Sequence, residues 1–352
     1  MFKSLQLIVV SVLLALPNMI SAGGFSPDSL GSSLKAWFDN SDPDYYELNG
    51  SDLKYQWSKH TGNEHTYDPD NVEDLGDATS EGNGIFSVSV TQTFNLRWQD
   101  SITTFDDKLI IINYTISEVT TGTINVRTLT DSQGGQGNGT YTRIMVCSAG
   151  DFFDARWNNC DGTLTVHSIK YYDVFRYALN ASEQPLIENG IVKPNAVGNI
   201  MTVVGVTDSA TYQAFLKMQR HVDNSFHIVF FGYQDALNLS WIGANDNNKP
   251  QHRIRYNSSH MSAISASIPT IDTDFVARYF VEDNKTKLDH PKDTINESTA
   301  QAGNKLLVGA GTSLSSYSNG QGNNYSGGDK EIIIVDNPTA ADISNLYDYL
   351  TA

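Results

Sequence analysis

The side chains best equipped for recognition chemistry in this sequence are flat aromatics set beside amides and carboxylates. Trp157 stands in Asp154-Ala-Arg-Trp-Asn-Asn159, and Trp98 is flanked by Arg97, Gln99 and Asp100. Trp241 and the pair Tyr171-Tyr172 lie in strand-like runs. A pyranose has an apolar face ringed by hydroxyls, so its recognition calls for an aromatic plane with planar polar partners. Trp98, Trp157, Asn158, Tyr171, Tyr172 and Trp241 are therefore the candidate ligand-binding residues. Trp37 and Trp57 fall inside strand motifs and read as core.

Cleaving a glycan asks for more. A glycosidase needs two facing carboxylates about 5 to 9.5 Å apart, often on alternate positions of one strand. Glu331 stands alone in its strand-like run, and no E-x-D-x-x-E stretch occurs. There is no GxSxG elbow and no HExxH, and the eight histidines hold no zinc spacing. Binding without catalysis is the expectation, and no catalytic residue is assigned. The 40 acidic residues leave a glycan-cleaving enzyme as the alternative, and a structural part of a virion fibre or cell envelope as a third reading. Asp39, Asp42 and Asp44, close together in Trp37-Phe-Asp-Asn-Ser-Asp-Pro-Asp44, are oxygen donors that suit calcium, without EF-hand spacing. No other cofactor is implied.

The elements that must position these residues begin after an export signal. Lys3, the apolar run Leu5 to Leu16, and small residues at Ser21 and Ala22 predict a signal peptide over 1–22. Its apolar stretch is shorter than the ~20 residues a bilayer span needs, so the mature chain is expected outside the cell, or on a cell or virion surface, with no stable membrane insertion. Loss of Lys3 takes the formal charge from −17 to 22 − 40 = −18, a surface that repels nucleic acid and anionic lipid. An oxidising compartment predicts a disulfide between the two cysteines, Cys147 and Cys160. With its short loop it is worth about 3 kcal/mol in the chain-entropy account. Asn-x-Ser/Thr triplets at Asn49, Asn113, Asn138, Asn180, Asn238, Asn257, Asn284, Asn296 and Asn324 would accept glycans in a eukaryotic secretory pathway. Their number does not identify the source, because Asn, Ser and Thr are abundant.

Periodicity is of the strand kind. Ile85 to Val90, Leu109 to Ile116, Gly122 to Thr128, Gly162 to Ile169, Ile200 to Val206, Phe226 to Phe231 and Lys330 to Val335 are β-branched or aromatic runs bounded by turn residues. Two stretches rich in Gly, Ser and Asn, Asp131 to Gly139 and Gly311 to Gly328, read as long loops at a sandwich rim. One helix closes the chain. Ile343, Leu346, Tyr347 and Leu350 share a face, with Thr339 as N-cap and Asp342 at the third helical position.

Three separated pieces resemble the concanavalin A-like (laminin-G-like) sandwich domains of phage and bacterial surface proteins. Leu34-Lys-Ala-Trp-Phe-Asp-Asn-Ser-Asp-Pro43, followed by Tyr55-Gln-Trp-Ser-Lys-His-Thr-Gly-Asn63, is similar to that family's opening, with Thr61 where serine is usual. Ser182-Glu-Gln-Pro-Leu-Ile-Glu-Asn-Gly190 is similar to a segment that normally follows closely. Leu306 to Gly311, Gly327 to Val335 and the terminal helix are similar to the closing strands and helix. Between the first two pieces, Tyr114 to Val126, Gly139 to Thr142, Phe153 and Asp161 to Val166 resemble a galactose-binding-like jelly roll of the carbohydrate-binding-module type. The resemblance implies an all-β chain: a concanavalin A-like sandwich over 23–66 and 174–352, a jelly-roll β-sandwich inserted at 67–173, a short C-terminal helix, and glycans as partners.

Overall fold

The computed structural model describes residues 24–98, 104–131, 133–178, 180–193, 200–206, 211–220, 228–234, 239–244, 249–256, 259–265, 268–283, 285–290, 293–297, 312–315 and 327–352. The predicted signal segment 1–22 and the motif Leu306 to Gly311 lie outside them, as does most of the second glycine-rich stretch. The chain is mostly β, sandwich-like, with a short C-terminal helix.

Strand Leu34–Asp39 pairs antiparallel with Gly327–Asp336, near the other end of the chain. The series continues through Tyr212–Arg220, Asp274–Glu282, Lys285–His290 and Asp293–Glu297. A second series runs Tyr46–Asn49, Asp52–Trp57, Phe175–Tyr177, Ile200–Val204 and Thr312–Ser315. It goes on through Ile228–Gln234, Leu239–Ala244, Pro250–Tyr256 and Ser259–Ile264. The hairpin Leu186–Glu188 and Ile191–Lys193 touches both series, at Asp52 and at Asp329. Phe38, Ala214, Leu216, Tyr279, Ile332 and Ile334 of the first series share one core with Leu53, Met201, Val203 and Ala263 of the second.

The run Ile332-Ile-Ile-Val335 is apolar throughout because both of its faces are buried. Successive side chains of a strand point to opposite faces. Ile332 and Ile334 enter the shared core, whereas Ile333 and Val335 meet the terminal helix Ala340–Thr351. That helix starts on the expected box: Thr339 Oγ1 accepts from the Asp342 amide at 3.2 Å, and the Asp342 carboxylate accepts from the Thr339 amide at 2.9 Å. Its buried Leu346 and Leu350, with half-buried Ile343 and Tyr347, pack on Leu34, Trp37, Phe215 and Val276. Beneath it the buried Glu331 carboxylate accepts from Trp37 Nε1 at 2.7 Å and from the Tyr349 hydroxyl at 2.9 Å. Burial pushes the Glu331 carboxyl up to about 7; the Trp37 bond opposes this and Asp39 adds to it.

Strands Glu64–Tyr67, Val72–Asp74, Thr79–Gly82, Ile85–Trp98, Lys108–Ser117, Thr123–Thr128, Gly139–Cys147 and Phe153–Tyr172 form a separate sheet. The long strand Phe153–Tyr172 organises it. Its first part lies between Thr123–Thr128 and residues 94–97, its last part between Lys108–Ser117 and Glu64–Tyr67. Gly162, at φ 109°, sits where the register slips; a Cβ there would lie 2.6 Å from Val119 Cγ2 and 2.8 Å from the Ser117 carbonyl. Glu64 pairs with Tyr172, and the Asp173 amide donates to the Asn63 carbonyl at 3.1 Å. The chain thus enters and leaves this sheet side by side. Residues 64–66 belong to it by pairing, three residues ahead of the start read from the sequence.

Two stability measurements follow. Ending the chain at Asn337 removes two buried leucines, each worth about 1.5–3 kcal/mol, and uncovers Ile333 and Val335; a lowered or uncooperative melting transition is expected, and an unchanged one contradicts the packing. Glu331, with its folded value raised above the ordinary 4.5, contributes stability that is full below about pH 4.5 and lost as pH rises through about 7. Because Oε1 takes both hydrogen bonds, Glu331→Gln keeps them. Its Tm should exceed that of the unaltered chain at pH 8 and converge with it near pH 4.5; a gap independent of pH contradicts the assignment.

Candidate functional site

The structure turns two of the nominated aromatics inward. Trp98 is fully buried, donates from Nε1 to the Pro69 carbonyl at 3.0 Å, and stacks on Phe153 with centroids 4.4 Å apart. Trp157 is fully buried and stacks on Phe94 at 4.9 Å. Neither offers a face to a ligand, because each falls in phase with its strand's core positions. Asn158, next to Trp157, is half-buried opposite Thr123. Tyr171 is half-buried and stacks on His65 at 4.8 Å, while Tyr172 is buried and donates to Glu64 Oε2 at 2.8 Å. His65 meets Asp173 at 2.7 Å, so these groups staple the two crossings of the chain. Trp241 lies on strand Leu239–Ala244 with its side chain outside the described residues.

Two members of the acidic trio share one ammonium. Lys59 Nζ lies 2.9 Å from Asp39 Oδ2 and 2.8 Å from Asp42 Oδ2, an ammonium where a cation would stand. Asp42 also caps its own turn through the Asp44 amide at 3.2 Å, and Asp44 is exposed. Among the described residues no group of three or more His, Cys, Asp or Glu is arranged to hold a metal ion. Of the triplet asparagines, Asn113 has its amide engaged between Ser168 and Thr142, and Asn49 donates to Gln184. Asn138 receives the Val119 amide and Asn180 is exposed. Asn238, Asn257, Asn284 and Asn324 lie outside the described residues, and Asn296 has only its strand described.

The expected disulfide is absent: Cys147 and Cys160 are buried free thiols. The register explains why. Both cysteine-bearing strands flank Lys108–Ser117, with Cys147 opposite Lys108 and Thr163, three residues beyond Cys160, opposite Ser117. Nine strand steps at about 3.3 Å separate the two levels by roughly 30 Å, against the ~7 Å between Cα atoms that a disulfide tolerates. Burial pushes the Cys147 thiol up to about 12 and the Cys160 thiol up to about 11, with nearby aspartates adding to both.

A polar cluster that the sequence did not single out lies where the two sheets meet. Tyr55 and Trp57 pack there with Leu109, Val146, Tyr172 and Phe175. Beside this apolar seam, Glu47 stands opposite Tyr55 in the 46–57 hairpin, and the Tyr55 hydroxyl donates to Asp131 Oδ2 at 2.6 Å. Lys54 Nζ sits 4.6 Å from the Tyr55 ring centroid. From strand Gly139–Cys147, the Arg143 guanidinium, with the residue only 5% exposed, donates from Nη1 to Asn125 Oδ1 at 2.9 Å and to the Val126 carbonyl. The glycine-rich loop returns to strand Thr123–Thr128 through paired Ile124 and Gln136 backbones, and Gln136 then accepts from the buried Tyr114 hydroxyl. Half-buried Tyr141 lies 5.6 Å from the Tyr114 ring.

Two atoms of this cluster are unsatisfied. Glu47 Oε2 and Arg143 Nη2 are both buried without a hydrogen-bond partner. Burial raises the Glu47 carboxyl, Lys54 and Arg143 oppose this, and Asp131 adds to it. Burial likewise pushes the Tyr114 hydroxyl up to about 12, held back by Arg143. Leaving such groups unpaired costs about 1–3 kcal/mol each. Arg143 had a sequence signal: it stands in phase with Tyr141, Met145 and Cys147, a charge on an apolar face. Glu47 had none.

No family model and no curated protein matches the chain. Among solved structures it is similar to the Trypanosoma rangeli sialidase in complex with sialic acid (TM-score 0.35, 10% identity, 50% of this chain and 30% of that one). It is also similar to truncated AlyQ with CBM32 and alginate lyase domains (0.25, 9%, 78% and 97%). A third is a tail fiber protein from an E. coli phage (0.26, 9%, 85% and 39%). The chain spans less than a third of the sialidase's length. At these scores the likenesses assign no residue and no activity.

The thiols provide the check on this part of the molecule. The native chain should resist a thiol-specific reagent and titrate two thiols once denatured, with an intact mass unchanged by reduction. A mass gain on reduction would restore the disulfide and overturn the register that separates the cysteines.

Proposed function

We propose that the chain is a secreted or surface-associated glycan-binding protein without catalytic activity, built as a concanavalin A-like sandwich interrupted by a galactose-binding-like jelly roll. The observation that carries the reading is the pair of unpartnered buried atoms, Glu47 Oε2 and Arg143 Nη2, with Asn125 on the guanidinium and the half-buried Tyr141 ring beside Tyr114. A sugar hydroxyl both donates and accepts, so hydroxyls can complete an acceptor and a donor together. The half-buried Tyr141 ring can supply an apolar complement to a pyranose face.

Glycan cleavage is the second reading, because Glu47 and Asp131 are two carboxylates near enough for one to raise the other. Against it, Asp131 is engaged by Tyr55, whereas a hydrolytic pair must leave room for a substrate oxygen and a water.

Incubating the mature chain with a panel of soluble polysaccharides separates the readings. Retardation in affinity electrophoresis without new reducing ends or unsaturated products is expected. Product formation would make the chain an enzyme, and absence of retardation across the panel would leave a structural role.

A further inference from the structure

Away from the seam, the second sheet carries charge on the face turned from its core. Across strands Ile85–Trp98, Phe153–Tyr172 and Thr123–Thr128, Leu96, Ala155 and Val126 stand in one row and enter the core, as do Trp157 and Ile124 in the next. The alternate positions point the other way. Arg97, Asp154 and Arg127 form one row of that outer face, and Asn95, Arg156 and Asn125 form the row beside it. Half-buried Phe152 meets both ends of the first row: its ring centroid lies 5.1 Å from Arg97 Cζ and 5.6 Å from Arg127 Cζ. Asp151 pins it there. That buried carboxylate accepts from the Leu129, Thr130 and Phe152 amides at 2.8, 2.9 and 2.8 Å.

Three guanidiniums thus surround one carboxylate, and one of them takes it. Asp154, fully buried, accepts from Arg127 Nε at 2.9 Å and from Arg127 Nη2 at 3.4 Å. Burial raises its carboxyl, opposed first by the Arg127 bond and then by the charges of Arg97 and Arg156. Arg97 and Arg156 are half-buried and make no hydrogen bond or ion pair among the described residues, and Arg97 Nε is buried without a partner. Asp74, opposite Arg97 at the sheet edge, is exposed and accepts from the Gly76 amide at 2.9 Å. Diagonal neighbours on adjacent strands stand about 7–8 Å apart, so one ligand can reach both free arginines. Each offers a planar fork of donors matched to the oxygens of a carboxylate or sulfate.

We propose that this outer face binds an acidic glycan, whose carboxylate or sulfate oxygens accept from Arg97 and Arg156. The site goes beyond the seam and uses none of its residues. The chain's formal charge of −17 opposes the approach of any polyanion, so retention of one reports a local site rather than general attraction.

The test is affinity electrophoresis of the full chain in alginate, which is carboxylated, and in dextran sulfate, with neutral dextran and galactomannan beside them, and with Tm measured for every variant. Retardation by an acidic polymer is expected. Arg156→Gln, and Arg97→Lys, which keeps the charge but loses the fork, should each weaken it at least about tenfold, equivalent to ~1.4 kcal/mol, with Tm retained. Arg127 is left in place, because its removal strands the buried Asp154 carboxylate. Lys35→Gln removes one charge from strand Leu34–Asp39 of the other sheet and should leave the retardation unchanged. Retardation that survives both arginine variants would place the ligand elsewhere, and an equal loss in Lys35→Gln would reduce it to diffuse charge; either overturns the proposal. Retardation by the neutral polymers alone would overturn it and leave the glycan-binding reading standing, whereas no retardation by any of the four would remove both.

Discussion

The fold depends on the pairing of strand Leu34–Asp39 with strand Gly327–Asp336, because it brings residues nearly 300 positions apart into one sheet and gives the terminal helix its seat. A buried guanidinium locks the adjoining corner. Arg176, which follows directly on the separate sheet, donates to Gln56 Oε1 at 2.5 Å, Asn40 Oδ1 at 2.8 Å and Asp329 Oδ2 at 3.2 Å. Asn40 in turn donates to the Asp329 carbonyl at 2.6 Å. Burial pulls the Arg176 guanidinium down and Asp329 opposes it. Breaking such a pair from one side costs about 3–5 kcal/mol, which makes the point where the chain returns from the second sheet a fixed part of the first fold. The adjacent crossings at Glu64 and Tyr172 complete the constraint, since a segment of some 110 residues can sit between two paired strands only if its ends lie together.

Much of this was legible in the sequence, for a simple reason: strand periodicity and helix capping are local. The unbroken run at Ile332 to Val335, the Thr339–Asp342 box and the apolar face of Leu346 and Leu350 each carried their own evidence, and each stands as read. Glu64 to Tyr67 was harder, because the four residues hold no signal for which of two sheets they join. The aromatics had more to give than was taken from them. Leu96 and Trp98 alternate on one face, as do Phe153, Ala155 and Trp157, and all are fully buried. Two-residue phase alone argued that both tryptophans point into the core.

The cysteines and the seam show where local reading ends. Cys147 and Cys160 are near in sequence, but their strands pair with the same neighbour rather than with each other, and register decides the distance. Glu47, Asn125 and Arg143 come from three separate strands, and their meeting is a property of how the two sheets abut. The polar loop at Asp131 to Gly139 was visible as a rim loop; that it carries Asp131 to Tyr55 and Gln136 to Tyr114 was not. Elsewhere the apolar seam of Tyr55, Trp57, Leu109 and Tyr172 holds the sheets together. The polar cluster of Glu47, Asp131 and Arg143 lies beside that contact.

A crystal structure of the chain with a bound oligosaccharide tests the account most directly. It should place sugar oxygens within hydrogen-bond reach of Glu47 Oε2 and Arg143 Nη2. A sugar seated away from the seam, with those two atoms still unbridged, would contradict it.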